Sequence, residues 1–349
     1  MRIPAQMTAV QLNGHGGLDQ LVLREDVPVP ELRADQVLIH VGASSVNNTD
    51  INTRIGWYTR EESADETSWS GTQLHFPRIQ GADCCGRIVA VGAHVDASRI
   101  GERVLVRTMQ APEPVDGELV PITLGSEIDG AFAQFVVVRS SEAFAIDSDL
   151  SDVELATFPC AYSTAEGLLQ RSGLGEERVL ITGASGGVGS ALVQLAVVRG
   201  ASVVAVASEQ HHEAIVALGA EQVLDRNAGL VTELGASSVD VVIDVVGGDR
   251  FPELLELLRP SGRYATSGAV AGAHVDLDLR DLYLKDLTLF GCTFHPPSVF
   301  ASLIEHIESR RLRPLLAATY PLEEIDAAQE RFLAKDFVGK IALVPPPVD

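Results

Sequence analysis

Basic residues are scarce in this chain. Its 349 residues carry 26 Lys and Arg against 48 Asp and Glu, a formal net charge of −22. Such a surface repels nucleic acid and anionic membranes, which argues against both as partners. An anionic ligand must find local positive groups against an adverse overall field. Cysteine is rare too: Cys84, Cys85, Cys160 and Cys292 show no disulfide-framework spacing. Long apolar runs are missing, and none approaches the ~18 residues of a membrane span. The opening residues, MRIPAQMTAVQLNG, contain no apolar segment and no small-residue cleavage site, which argues against a signal peptide. These absences lead us to expect a soluble cytoplasmic protein with reduced thiols. Hydrophobic residues make up 46% of the chain, enough for a sizeable core, and its length suits two domains.

The strongest positive signal is VLITGASGGVG at residues 179–189. An apolar strand runs into a glycine-rich turn, a long apolar stretch follows at 190–198, and a second strand follows at 202–206. That order makes a dinucleotide-binding βαβ unit. Gly186 lets the backbone approach a pyrophosphate, and Gly189 lets the helix pack close to the strand. The helix N-terminus offers N–H groups and a positive dipole end to the phosphates. The motif departs from G-x-G-x-x-G in its first position, where Ala184 follows Gly183. The predicted cradle is therefore Ala184, Ser185, Gly186, Gly187, Val188 and Gly189. A glycine turn can also merely connect a strand to a helix; the flanking elements are what favour the nucleotide reading.

The first 150 residues read as β-rich, with strand patterns at 36–41, 87–91, 103–107 and 133–139. Residues 58–73 are polar and aperiodic and read as a surface loop, a candidate active-site lid. Ser151 and Glu154 have capping-box spacing ahead of a helix, and Ser163 and Glu166 repeat it. Beyond the glycine turn, strand patterns recur at 201–207, 222–224, 239–245, 263–266 and 287–292, with helical segments such as 252–258 between them. Such alternation predicts a doubly wound parallel sheet. Helices at 297–310 and 325–333 and a strand at 340–344 close the sequence, which has no internal repeat.

Taken in order, these elements resemble the medium-chain dehydrogenase/reductase superfamily, and its zinc-independent quinone oxidoreductase branch most of all. The resemblance spans nearly the whole chain. It rests on V-N-x-x-D-x-x-x-R-x-G-x-Y at 46–58, G-A-D-x-x-G-x-I-V-A-V-G at 81–92, I-G-E-R-V at 100–104, A-S-G-G-V-G at 184–189, A-L-G-A at 217–220, V-D-V-V-I-D-x-V-G-G at 239–248 and G-K-I-A-L at 339–343. It implies an α/β chain: a GroES-like β-barrel catalytic domain over 1–150, completed by 296–349, and a Rossmann domain over 151–295, with substrate in the cleft between them.

In the zinc enzymes of the superfamily three ligands hold the metal. The resemblance places them at Asn47, at Ala82 with Asp83 following, and at Cys160, so two of the three are lost. The four-cysteine lobe for structural zinc is absent too. Cys84 and Cys85 are adjacent strand residues facing opposite ways, poorly placed to share an ion. We therefore expect no metal site, and a substrate that accepts hydride readily, a quinone or an α,β-unsaturated carbonyl. The developing oxygen charge then needs a hydrogen-bond donor. The resemblance implies Asn47 and Tyr58 for that role, with Asp50 and Arg54 buttressing the turn. Turn chemistry explains Asn47 equally well. Relatives often carry a tyrosine where this chain has Asn52.

The same resemblance puts Thr164, Gly268 and Lys340 at the cofactor. Ala207 stands where NAD enzymes carry the ribose-binding carboxylate. Ser208 and Arg226 could bind a 2′-phosphate, although Arg226 reads equally as a solvated surface charge, and Glu209 and the uncharged Gln210 weaken the case. NADPH is expected over NADH. Two other functions stay open: an alcohol or aldehyde oxidoreductase with an atypical metal on Cys160 and Asp83, and a noncatalytic dinucleotide-binding protein. The apolar strand at 287–292 predicts a homodimer through edge pairing. The polar insert at 61–73 and Phe294-His295-Pro296-Pro297 would shape the substrate pocket, with His295 read as a turn residue.

Overall fold

In the computed structural model the described residues are 2–59, 67–68, 70–115 and 118–348. The chain divides into two compact units. One comprises Met1–Cys160, Pro296–Asp336 and Lys340–Asp349; the other comprises Ala161–His295 and Phe337–Gly339. The first boundary thus falls after Cys160 rather than at 150. Of the loop expected over 58–73, residues 60–66 and 69 lie outside the described residues. No helix of the described residues is long and apolar enough to cross a membrane.

The second unit is built on apolar β-rich runs separated by helices. Strands Arg178–Ile181, Ser202–Ala207 and Val239–Asp244 are almost continuously buried, the pattern of a parallel sheet covered on both faces. Among the described residues this sheet has six strands, all paired in parallel. From Arg178–Ile181 the chain steps outward one way to Ser202–Ala207 and Gln222–Asp225. It then steps the other way through Val239–Asp244, Leu258–Thr266 and Thr288–Gly291. The order therefore reverses between Arg178–Ile181 and Val239–Asp244, which is where doubly wound sheets open a crevice at the strand carboxyl ends. Helix Gly187–Val198, GVGSALVQLAVV, is apolar nearly all round and accordingly buries Gly189 to Ala196. Leu180, Val204, Val242, Leu254, Leu258 and Tyr264 belong to one core cluster of this sheet.

One expectation fails here. Ser163 and Glu166 do not cap a helix. The helix starts earlier, at Pro159, and runs to Ser172. Proline suits a first helical position because its missing N–H would have no partner there. Ser163 and Glu166 are instead buried in the helix interior, and Glu166 pairs with Arg199 at 2.6 Å. The box at Ser151 and Glu154 does form, ahead of helix Asp152–Leu155.

The first unit is organised around strand Gln36–Ser45. It pairs antiparallel with Cys85–Val91, Phe135–Arg139 and Lys340–Val344. Lys340–Val344 in turn pairs in parallel with Leu316–Pro321, so a late strand completes an early sheet. A smaller sheet joins Gln6–Leu12, Leu21–Pro28 and Arg78–Ile79, and Met109–Val115 pairs with Glu118–Thr123. Val37, Ile39, Val41, Ile88 and Val104 form the sheet's core. Within this unit Arg107 is fully buried against Glu142, with Nε donating to Oε2 at 2.7 Å and an Nη donating to Oε1 at 3.1 Å.

Candidate functional site

Each unit carries one constellation. In the second unit, Gly183 turns the chain with a φ of +62°. The Ala184 N–H donates to Val206 O at 3.0 Å, and the Gly186 N–H donates back to Gly183 O at 3.0 Å. Gly186 is the N-cap of helix Gly187–Val198. The first helical N–H groups, those of Gly187 and Val188 among them, have no intrahelical carbonyl to reach and are ready for an anion. A Cβ on Gly189 would stand 2.1 Å from Gly183 O, so only glycine permits this approach of helix to turn. Ser185 O accepts the Gly339 N–H at 3.1 Å. The residues present thus fit a pyrophosphate cradle.

The other expected cofactor residues gather at the carboxyl ends of the same strands, with two exceptions. Ser208 follows Ser202–Ala207 directly. The Arg226 N–H donates to Ala207 O at 2.9 Å, and the Arg226 side chain is exposed with no ion pair among the described residues. Two carboxylates crowd this corner, as Glu209 follows Ser208 and Asp225 Oδ2 accepts from the Glu209 N–H at 3.1 Å. Gly268 packs on the neighbouring loop, where a Cβ would stand 2.9 Å from Val245 O. Thr164 lies elsewhere, in helix Pro159–Ser172, where it lines a shallow pocket with Gly167, Arg171, Cys292 and Phe294. His295, in the same pocket, is buried against Gly167.

Lys340 is the second exception and a correction. Expected at the cofactor, it is instead buried in the first unit. Its ammonium donates to Val46 O at 3.0 Å, to Asp83 Oδ2 at 3.0 Å and to Asn47 Oδ1. An ammonium has three protons, and all three are engaged.

Asp83 is the centre of that cluster. Its Oδ2 accepts from Lys340, from Asn47 Nδ2 at 2.7 Å and from the Ser45 hydroxyl, while Oδ1 accepts from the Cys160 N–H at 2.6 Å. Asn47 also donates through Nδ2 to Ser45 O at 3.2 Å. Both its amide hydrogens are therefore committed, so Asn47 is a fastener and not the open donor that was expected. Desolvation explains the difference: a buried carboxylate demands every donor within reach. The Cys160 thiol is pushed up by burial and by the adjacent Asp83 charge, which keeps it protonated.

Asp50 holds the turn, as a buttress should. Asn47 is the N-cap of helix Asn48–Ile55, and its N–H donates to Asp50 Oδ2 at 2.8 Å. Asp50 Oδ1 accepts from the Gly81 and Ala82 N–H groups at 3.2 and 3.3 Å. Burial raises the Asp50 carboxyl to about 7, opposed by the Asn47 N–H and reinforced by the nearby Asp83 charge. Arg54 staples the same helix, donating to Gln329 Oε1 at 3.0 Å and Gly16 O at 2.8 Å.

The Tyr58 hydroxyl donates to Thr49 Oγ1 at 3.3 Å and receives Asn52 Nδ2 at 3.5 Å. Burial raises its pKa, so the phenol stays protonated at neutral pH. Thr67 pins the Tyr58 backbone, its hydroxyl donating to Tyr58 O at 3.0 Å. Thr49 was not singled out by sequence reasoning; nine residues separate it from Tyr58, which lies beyond the end of its helix, so no local spacing marked the pair.

Cys84 belongs to the sheet core and Cys85 Sγ faces Asp152 at 3.7 Å, and burial pushes both thiols up. Among the described residues no group of three or more His, Cys, Asp or Glu is placed to hold a metal ion.

Two family descriptions match the chain. The alcohol dehydrogenase GroES-like domain matches residues 33–148, and the zinc-binding dehydrogenase matches residues 187–309. The chain is similar to the quinone oxidoreductase of Rattus norvegicus, 28% identical over 97% of this chain and 98% of that one. It is equally similar to the acryloyl-coenzyme A reductase of Metallosphaera sedula, 29% identical over 97% and 99%. Among solved structures, a provisionally named alcohol dehydrogenase of Sinorhizobium meliloti 1021 superposes with a TM-score of 0.91 at 46% identity, covering 99% of this chain and 98% of that one.

Proposed function

The chain belongs to the medium-chain dehydrogenase/reductase superfamily as a quinone-oxidoreductase-like NAD(P)-dependent oxidoreductase, and from that premise we propose that it uses NADPH to reduce a quinone or an α,β-unsaturated carbonyl without zinc. The observation that carries the metal-free reading is the donor set at the three ligand positions. Asn47 Oδ1 already accepts from Lys340, Ala82 has no ligating atom in its side chain, Asp83 beside it is saturated by four donors, and Cys160 is a protonated thiol. A cation, the Lys340 ammonium, already stands among them. Such residues do not fit a zinc ion, which needs anionic or neutral lone pairs turned toward it.

Without a Lewis acid the acceptor must be activated by its own conjugation. The names of the relatives point the same way, since a quinone and an acryloyl thioester are both conjugated acceptors. The nicotinamide, when bound, supplies the hydride. The protein's part is to bind, to orient and to meet the negative charge that develops on the substrate oxygen. The protonated Tyr58 hydroxyl, whose one proton rests on Thr49 Oγ1 over a long 3.3 Å bond, is the group suited to turn from Thr49 and donate there. Asp50 and Asn47 keep the helix carrying Thr49 in place.

NADPH is favoured over NADH by Ala207 in place of a carboxylate, by Ser208, and by the Arg226 cation, which has no ion pair among the described residues. Glu209 and Asp225 temper that preference. The protein is a homodimer in this reading. Thr288–Gly291 is the edge of the six-stranded sheet, and Leu279, Tyr283 and Leu284 nearby in sequence are exposed apolar side chains.

The test is NADPH oxidation with a small quinone and with an enone, on metal-analysed protein with and without chelator. Turnover that survives chelation on zinc-free protein supports the proposal. Activity confined to simple alcohols, or lost with a bound metal, sinks it.

A further inference from the structure

We propose that Asp244 is a positioning residue for dinucleotide binding: from the point where the sheet order reverses, its buried carboxylate fixes the 245–248 turn against Gly183 and so presets the crevice that receives the cofactor. The proposal rests on the dinucleotide reading above and concerns a residue outside the glycine cradle.

Asp244 ends strand Val239–Asp244 and is fully buried, as an acid after five residues of a largely apolar strand should not be without a reason. Its carboxylate collects donors from two neighbouring strands or their ends and from the turn that follows its own strand. Thr182 Oγ1 donates to Oδ1 at 2.5 Å, and the Tyr264 hydroxyl donates to Oδ2 at 2.6 Å. The Val246 N–H donates to Oδ1 at 2.9 Å, and the Gly247 N–H is shared between both oxygens at 3.2 Å. Thr182 Oγ1 in turn accepts the Val245 N–H at 3.1 Å. The bond from Thr182 to Asp244 spans the two strands between which the chain order reverses.

The turn so held is also tied to the 269–272 loop, the Gly248 N–H donating to Gly272 O at 3.1 Å. Gly247 and Gly248 take φ values of +68° and +78°, a conformation with little intrinsic preference for one geometry. Around it the packing is close. A Cβ on Gly183 would meet the Val246 and Val245 methyls at 3.0 and 3.1 Å, and the Ala271 N–H donates to Val246 O at 2.9 Å. One carboxylate therefore fixes, through Val245 and Val246, the backing of the glycine turn on one side and, through Ala271, the 268–272 loop on the other. A core acid with a merely structural task would tie strands together; this one reaches past them to order the loops at the carboxyl ends.

The experiment compares the whole protein with Asp244→Asn, Thr182→Val and Tyr264→Phe. It measures the Kd of NADPH and of NADH by fluorescence titration, kcat and KM with a quinone, and the Tm. A further variant, Glu142→Gln in the first unit, serves as a destabilised control. Asp244→Asn is expected to bind both dinucleotides about tenfold more weakly, with kcat at saturating cofactor within about threefold of the parent. Equal loss for NADPH and NADH separates positioning from recognition of a 2′-phosphate. Thr182→Val, which keeps the carboxylate, should show a smaller loss in the same direction and decides the matter where Asp244→Asn fails to fold. Unchanged Kd values in the folded variants, or a fall in kcat with no change in Kd, overturn the proposal alone. A parent protein that binds neither dinucleotide overturns it together with the cofactor reading.

Discussion

Replacing Lys340 by Met keeps the length of the side chain and removes its charge. In the folded protein this leaves the Asp83 carboxylate buried with three donors, from Ser45, Asn47 and the Cys160 backbone, where it had four. Breaking a buried ion pair by deleting one partner typically costs about 3–5 kcal/mol. The surviving donors place this case near the lower end, about 3 kcal/mol. A unit of this size loses about 2–4 °C in Tm per kcal/mol, so the variant should melt about 6–12 °C below the parent. The Asp83→Asn single variant should also be destabilised, because it strands the Lys340 ammonium. The double variant should lose clearly less than the sum of the two, since each removes the partner the other leaves unpaired. Thermal melts followed by circular dichroism read all four corners of the cycle. Additive losses, or a Lys340→Met variant within about 1 kcal/mol of the parent, would refute the idea that this ammonium and carboxylate sustain one another.

Four other outcomes follow from the geometry. Asp50 has a folded pKa near 7, raised above its ordinary 3.8, so the folded state holds the proton more tightly. Its contribution is fully present at acid pH and is lost as pH rises from about 4 to about 7, by at most about 4 kcal/mol; Asp50→Asn should flatten that part of the Tm–pH curve, and an unchanged slope counts against it. Glu142→Gln should lower the Tm by about 6 °C or more by leaving Arg107 underpaired, with dinucleotide Kd untouched. Gly189→Ala places a Cβ 2.1 Å from Gly183 O, and titration should show dinucleotide binding lost or severely weakened in the protein that remains folded. Arg226→Ala should raise KM for NADPH about tenfold and leave NADH unaffected; equal effects on both would place the guanidinium away from a 2′-phosphate.

The parallel sheet was legible because its signals are local. Strand runs such as Val239–Asp244 are largely apolar and flanked at short range by Gly235 and Gly247, and the turn at Gly183 to Gly189 lies within one βαβ unit. Helix Asn48–Ile55 was read as a turn because NTDINTRI has no apolar stripe; the residues it buries include Asp50, Thr53 and Arg54, held by hydrogen bonds that no periodicity reveals. The site residues divide in the same way. Asn47 and Asp50 are three apart and their capping contact was within reach of local reasoning. Lys340 and Asp83 are 257 positions apart, and the sequence marked the lysine without naming its partner. Asp244 was visible as an acid ending an apolar strand, yet its hydroxyl partners stand 62 and 20 residues away. Charge and spacing show which polar residues are costly to bury, and only the fold shows which others meet them.

The placement of strand Lys340–Val344 beside Gln36–Ser45 also fixes an order of events at the ribosome. The whole of Ala161–His295 is synthesised before that strand exists, so the nucleotide unit can close while translation continues. The first unit, although begun earlier, must wait with the Ser44–Ser45 end of Gln36–Ser45 unpaired and with Asp83 lacking its counter-ion. The portion made first is thus the portion finished last. During that interval its open edge is the part of the nascent protein most in need of a chaperone's cover.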